Sequence, residues 1–221
     1  MAGRGAKRPP YHRGNVPATL VTATLELVEQ SGVASATMRA VARRVELSHA
    51  AATHHFGKLE NLLGAAATEV YQRLAATLEE AGTHGEDALA RFRSMGCAYI
   101  GFAIAHPGWM QLLEHPLLLS QAESEPLVRA ARLARDVLQR GLDAGFEDGP
   151  MTRHPGGDAA VLAWSTVHGF AKLASTGKLF AVDDADALER AVDALMTSMF
   201  FGLRGPVPGV DGEPGTAGSS G

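Results

Sequence analysis

Two adjacent histidines, His54 and His55, are the residues of this sequence that first suggest metal or catalytic chemistry. Neighbouring residues of an α-helix point about 100° apart, so two adjacent imidazoles are poorly placed to hold one metal ion. Neither a cysteine nor a carboxylate stands nearby at the spacing of a zinc site. We therefore predict no metal site. We expect His55 to be packed or to cap a helix, and His54 to be the more exposed of the two.

The single cysteine, Cys97, is the other candidate nucleophile. It falls among apolar residues of a predicted helix, where a lone cysteine is usually inert core. The more distant histidines are scattered, and their spacing specifies no triad or dyad: His106, His115, His154 and His168. A glycine-rich phosphate loop is also missing from the sequence. We predict no catalytic residue, no cofactor and no enzymatic activity.

Trp164 and His168 are four residues apart and therefore share one face of a predicted helix. Two interpretations stay open for this pair. The side chains are core or dimer contacts, or they form the wall of a ligand pocket with one polar group. Further residues that suit a core and can also line such a pocket are Tyr99, Phe102, Trp109, Met110 and Leu113.

The elements that must position these residues are predicted to be helices throughout. Apolar residues recur at spacings of three and four, and strand signals are almost absent, so the sequence predicts an all-α protein. The first helix is expected from about Pro17 to Ser31, with Gly32 just past its end. The last helix is expected to begin after a cap at Asp183 or Asp184.

The sequence of residues 35–55 predicts two short helices joined by a tight turn. Ser35 or Thr37 can cap the first of them, which buries apolar residues up to Val45. After a turn at Glu46–Leu47, Ser48 can cap the second, which runs to about residue 55. This order is that of a helix-turn-helix, whose second helix enters the major groove of DNA.

Side chains of this segment are suited to contacts with DNA. Alanines allow a close approach of the helix and can meet thymine methyl groups, while histidine and threonine can reach bases or phosphates. Lys58 adds a cation to the amide groups at the start of the next helix, and Arg44 can add a phosphate contact. The residues predicted to contact DNA are Thr37, Arg39, Arg43, Ser48, His49, Ala50, Ala51, Thr53, His54 and Lys58.

The distribution of charge agrees with one DNA-facing module. The net charge is −4, but residues 1–70 carry 8 Lys and Arg against 5 Asp and Glu, whereas residues 71–221 carry 12 against 19. No apolar run is long enough to span a membrane, and the N-terminus lacks the apolar region of a signal peptide. We therefore expect a cytoplasmic protein. Residues 1–14 are predicted to be a disordered basic arm, which either contacts DNA or only aids solubility, and residues 205–221 a disordered tail.

The pattern from Val41-Ala42 through His55-Phe56 and Lys58 to Leu62-Leu63 resembles the N-terminal domain of TetR-family transcriptional regulators. The stretch WSTVHG, residues 164–169, resembles the Trp-His-Gly signature of one C-terminal subfamily of these regulators. Two positions depart from the family pattern. Glu46 stands where a turn glycine is usual, at a cost of roughly 1 kcal/mol if its φ is positive. Thr53 stands where an aromatic phosphate contact is usual.

The resemblance implies a homodimer that binds a palindromic operator, and a C-terminal pocket whose small ligand releases the DNA. The mostly apolar composition of the C-terminal part suggests that this ligand is hydrophobic. We thus predict a helix-turn-helix DNA-binding domain at residues 15–63 and a larger helical ligand-binding and dimerisation domain at residues 64–204. The expected function is a ligand-released repressor. Alternatives are an activator or ligand-independent regulator of the same fold, or a helical small-molecule-binding protein without a regulatory role.

Overall fold

The computed structural model describes residues 15–147, 159–176, 178–179 and 184–202, so the predicted arm and tail lie outside the described residues. Within these ranges the chain forms nine α-helices and two short 3-10 helices without a β-strand, which confirms the predicted all-α fold. The 3-10 helices are Val33–Ser35 and Pro116–Gln121. The α-helices are α1 (Val16–Ser31), α2 (Met38–Arg44), α3 (His49–Phe56), α4 (Leu59–Ala81), α5 (Ala88–Ala105), α6 (Pro107–Leu113), α7 (Glu125–Glu147), α8 (Ala159–Ser175) and α9 (Ala185–Gly202).

The ends of α1 and α9 follow from local residues. The Asn15 side chain accepts a hydrogen bond from the Ala18 amide at 3.3 Å, and Pro17 occupies the first turn. Gly32, with φ of 77°, ends α1 and donates its amide to the Val28 carbonyl. At α9 the Asp184 carboxylate accepts from the Ala187 amide at 2.9 Å, so Asp184 is the cap among the two predicted candidates.

Unit 1, one of two compact units, comprises residues 15–73 together with residues 106–132. Its core joins α1, α2, α3 and the start of α4, and it includes the apolar residues of the α2 segment up to Val45, as predicted. Leu27 of α1 packs at the edge of this core and is only partly buried. The buried residues of this core are Leu20, Ala23, Met38, Val41, Ala42, Val45, Ala52 and Leu62.

Within unit 1, the start of α6 lies directly on the end of α1. A methyl group at Gly108 would stand 2.6 Å from the Val28 carbonyl oxygen and 2.8 Å from Glu29 Cα, so only glycine fits. The Trp109 indole N–H donates to the Leu25 carbonyl at 3.1 Å. The His106 ring stacks on the indole with centroids 3.8 Å apart. These contacts fix α6 against the backbone of α1.

Unit 2 comprises residues 74–105 and the described residues from 133 onward. Here α5 packs against α8 and α9. Arg93 of α5 and Asp193 of α9 form an ion pair, and Arg140 of α7 pairs with Glu79 at 3.3 Å. No helix in the described part of the chain is long and apolar enough to cross a membrane. The predicted domain boundary at residue 63 falls inside α4 and stays a prediction.

The prediction that Cys97 is buried in the core is wrong. Cys97 is exposed, because it shares the outward face of α5 with Gly101 and Ala105, at spacings of four residues. Neighbouring atoms still shield the thiol from water enough to raise its pKa, and the nearby Arg93 guanidinium opposes that rise. A raised pKa leaves less of the reactive thiolate at neutral pH.

Candidate nucleic-acid interface

Two side-chain caps fix the helices of the helix-turn-helix. Thr37 Oγ1 accepts from the Ala40 amide at 3.1 Å at the start of α2, and Ser48 Oγ accepts from the Ala51 amide at 3.0 Å at the start of α3. Ser35, the alternative cap, instead donates its hydroxyl to the Gly32 carbonyl at 2.7 Å. The sequence therefore predicted the caps of both helices, and Thr37 is the one of the two candidates that caps α2.

The turn between α2 and α3 places Glu46 in an unusual backbone conformation. Its φ is 58°, and it is the only residue other than glycine with a positive φ in the described ranges. The turn closes through a hydrogen bond from the Leu47 amide to the Ala42 carbonyl at 2.9 Å. Glycine adopts this conformation without cost, whereas glutamate adopts it at the roughly 1 kcal/mol that was expected if its φ were positive.

Helix α3 carries five of the ten residues predicted to contact DNA. Ala52 is fully buried against α1 and α2 and anchors the helix in the core of unit 1. His49, Ala50 and His54 are exposed, whereas Ala51 and Thr53 are partly buried. The expectation that His55 is packed is wrong: it is exposed, and its ring meets that of His54 edge-on at 5.6 Å.

Three exposed basic residues surround α3. Arg39 and Arg43 of α2 and Lys58 before α4 form no ion pair or side-chain hydrogen bond with the part of the chain that the structure describes. Arg44 differs from them, because its guanidinium pairs with Glu26 of α1 at 2.8 Å. Arg44 thus joins α2 to α1, and the phosphate contact suggested for it from sequence competes with this ion pair.

Asn61 holds the end of α3, a role that sequence reasoning missed. Its side-chain amide donates to the Phe56 carbonyl at 2.8 Å, at the last residue of α3. Gln121 donates in turn to the Asn61 side-chain oxygen at 3.1 Å. Asn61 is close to α3 in sequence and could have been suspected, but Gln121 lies 60 residues away and gives no local signal.

Of the residues predicted to bind a ligand, unit 2 brings three together. The Tyr99 hydroxyl lies 2.9 Å from His168 Nδ1, and the Tyr99 ring meets Trp164 edge-on with centroids 5.8 Å apart. Phe102 is buried on the same helix as Tyr99. This cluster joins an apolar wall to one polar group.

The other three candidates belong to unit 1. The Trp109 side chain of α6 packs on α1 through its hydrogen bond to Leu25, and Met110 is buried beside it in α6. Leu113 lines an open groove of about 360 Å³ with Tyr71, whose pKa is raised by burial of its hydroxyl. A group of three His, Cys, Asp or Glu side chains close enough to hold a metal ion does not occur among the described residues.

Two family models match the chain. Residues 20–66 match the model for bacterial regulatory proteins of the tetR family, and residues 92–199 match the model for the tetracyclin repressor-like C-terminal domain. The first covers the helix-turn-helix, and the second includes the residues of the Tyr99, Trp164 and His168 cluster. No curated protein matches the chain.

Several solved structures share the fold. A protein with unknown function from Rhodococcus sp. RHA1 is 29% identical, with a TM-score of 0.75 over 90% of this chain and 100% of that chain. A TetR family transcription regulator from Marinobacter aquaeolei VT8 is 16% identical, with a TM-score of 0.63 over 83% and 93%. A regulatory protein in the tetR family from Rhodococcus RHA1 is 21% identical, with a TM-score of 0.62 over 83% and 96%. The last two likenesses extend to the fold alone.

Proposed function

The chain belongs to the TetR family of DNA-binding transcription regulators, and from this we propose that it is a repressor that a small hydrophobic effector releases from a palindromic operator. It acts in the cytoplasm, where the operator is. We propose no catalytic activity for the protein. The observation that carries the proposal is the exposed face of α3. Ser48 caps this helix and Ala52 anchors it in the core. The cations that flank it have no partners among the described residues.

In this proposal α3 lies in the major groove with its first residues against the bases. His49, Thr53 and His54 supply hydrogen-bonding groups, and the methyl groups of Ala50 and Ala51 meet thymine methyls. Phosphates are held by the residues around the groove, which set the position of α3 without reading sequence. These phosphate contacts are Thr37, Arg39, Arg43, Ser48 and Lys58.

Exposed apolar side chains on α8 support a homodimer. Val161, Leu162 and Leu173 leave 53%, 50% and 43% of their surface exposed, which is unusual for large apolar residues on one helix. A dimer that binds two half-sites at once must hold its two α3 helices about one turn of DNA apart, roughly 34–36 Å. A two-fold dimer then requires an operator with two-fold sequence symmetry.

The cluster of Tyr99, Trp164 and His168 supports a small effector. Aromatic walls with one hydrogen-bonding group are typical of pockets for largely apolar ligands. Such a ligand releases DNA only if its affinity for the state that binds the operator is lower than its affinity for the state that does not. We propose that in this state the two α3 helices are spaced differently and no longer match both half-sites.

Fluorescence anisotropy of the purified protein tests the DNA-binding part. Labelled DNA from the region that flanks the gene is compared with scrambled DNA at about 50 mM and about 200 mM salt, because phosphate contacts weaken with salt. We expect preference for the flanking DNA, and for Lys58→Ala a salt dependence reduced by about one unit of log–log slope.

Lys178→Ala is the matched control, since it removes one exposed lysine of unit 2. Its salt dependence should equal that of the wild-type protein. If no DNA is preferred, including after selection from a random pool, the regulator proposal fails. A reporter driven by the operator separates repression from activation: deletion of the gene raises expression for a repressor and lowers it for an activator.

A further inference from the structure

Unit 2 contains a small, partly enclosed cavity between its helices. Its volume is about 10 Å³, which is enough for about one water molecule and far too little for an effector. None of the residues around it is charged. They come from α4, α5, α7, α8 and α9 and are Leu78, Phe92, Met95, Gly96, Tyr99, Leu138, Ala163, Val167, Met196 and Met199.

Two of the three methionine side chains that line this cavity each rest in a depression left by glycine. The end of Met196 lies so close to Gly96 that a methyl group at Gly96 would overlap its Sδ and Cε. The end of Met95 lies in the same way against Gly141, and a methyl group at Gly82 would stand 3.3 Å from Met95 Sδ. The thioether ends of Met95 and Met196 form what we call the methionine plug.

Methionine is a suitable residue for a plug that can move. Its side chain is unbranched, rotates about three bonds and adapts to irregular space. The glycines leave room for the thioether ends without fixing them, because they contribute no side chain. A branched residue of equal volume would fill the cavity in fewer conformations.

A polar group stands at the border of the cavity. Tyr99 lines it, is 3% exposed, and places its hydroxyl 2.9 Å from His168 Nδ1. A ligand that entered beside Tyr99 would thus meet apolar side chains on most sides and one hydrogen-bonding pair. An ionised group would find no opposite charge among the lining residues, so burying it there would be costly.

We propose that the methionine plug closes an effector site, and that an uncharged apolar or aromatic molecule with at most one hydrogen-bonding group opens it. The ligand displaces the thioether ends of Met95 and Met196, and its polar group meets the Tyr99–His168 pair. This inference rests on the proposed function, since it specifies where the effector binds and what its chemistry is.

The test uses N-phenyl-1-naphthylamine, an uncharged aromatic dye that fluoresces in apolar sites, and the full-length protein without DNA. The wild-type protein should bind the dye. Met95→Leu/Met196→Leu, which conserves volume but stiffens the plug, should bind it at least about tenfold more weakly. Met196→Ala, which shortens the plug, should bind it at least about threefold more tightly. A plain loss of packing would instead change both variants in the same direction.

Met38→Leu is the matched control, because Met38 is a buried methionine of the helix-turn-helix core in unit 1. Its dye affinity should equal that of the wild type. Thermal unfolding checks that each variant is folded, and if Met196→Ala is not, the double leucine variant decides. The proposal is overturned if the wild type binds no dye up to the solubility limit, or if the double leucine variant binds it equally well.

Operator binding is measured on the same samples without dye. A wild-type protein that ignores DNA would contradict the proposed function, whatever the dye shows. If the wild type binds its operator but the double leucine variant binds the dye as well as the wild type does, only the proposal of the methionine plug is contradicted.

Discussion

The two caps of the helix-turn-helix each join residues three positions apart, whereas the contacts around the unit 2 cavity join distant segments. Thr37 and Ser48 accept from the amides of Ala40 and Ala51. By contrast, Tyr99 and His168 are separated by 69 residues. Local hydrogen bonds define α3 within one segment of chain, which suits a surface that must match the fixed shape of a DNA groove.

The same contrast appears where glycine allows a close approach. In unit 1 the neighbours of Gly108 are backbone atoms of Val28 and Glu29, which cannot move without α1. In unit 2 the neighbour of Gly96 is the end of Met196, which can rotate away. The packing at Gly108 therefore resists change, whereas the packing at Gly96 tolerates it.

The largest effect is expected from Gly108→Ala. The added methyl group would overlap the backbone of α1, so α6 must shift, and overpacking of this kind costs about 3 kcal/mol in the free energy of unfolding. Urea unfolding of the wild type and the variant measures the difference. A loss below about 1 kcal/mol would contradict the rigid packing of unit 1.

Two substitutions of Ser48 separate its effect on the stability of α3 from its effect on DNA binding. Ser48→Ala removes the cap and should lower the free energy of unfolding by about 1 kcal/mol. Ser48→Asp keeps a capping oxygen and should retain that stability, yet its charge should repel phosphate and weaken operator binding more than alanine does. Urea unfolding and operator anisotropy are measured on both variants. Equal operator affinities would argue against a phosphate close to Ser48.

Asn61 tests whether the end of α3 must also be held. Asn61→Ala removes the hydrogen bond to the Phe56 carbonyl and should weaken operator binding about two- to tenfold. Gln121→Ala leaves that bond in place and should have a smaller effect. Anisotropy titrations of the two variants rank them, and the reverse order would assign the main role to Gln121.

The smallest effect is expected from Gly96→Ala, which adds a methyl group inside unit 2. The end of Met196 can move aside, and alanine favours the helix, so the free energy of unfolding should change by less than about 1 kcal/mol. Its control, Gly101→Ala, adds a methyl group in open space on the same helix and should gain about 0.5–1 kcal/mol. A loss at Gly96 as large as that at Gly108 would remove the contrast between the two units.

Features that depend on neighbouring residues could be predicted from the sequence. The caps at Thr37, Ser48 and Asp184 and the positive φ of Glu46 all arise within one turn of chain, and so they leave a local pattern. The helices were also predictable, because apolar spacing and glycine or proline at the ends determine them.

Features that depend on packing between segments were not predictable. Arg44 has the residue type of a phosphate contact, but its use depends on Glu26, 18 positions earlier on another helix. Cys97 stands among apolar residues in the sequence, but it is exposed because α5 packs against α8 and α9 through another face. In both cases the deciding partner lies outside the segment that suggested the role.

The contact of α6 with α1 has a practical meaning for chimeric sensors. The simplest exchange of DNA specificity between two regulators would move the DNA-binding domain as one continuous piece of chain. In this protein, a cassette cut at residue 63 would leave behind the indole that binds the Leu25 carbonyl and the glycine that lies on Val28. A transplant should therefore carry residues 106–132 as a second piece, since unit 1 is discontinuous in sequence.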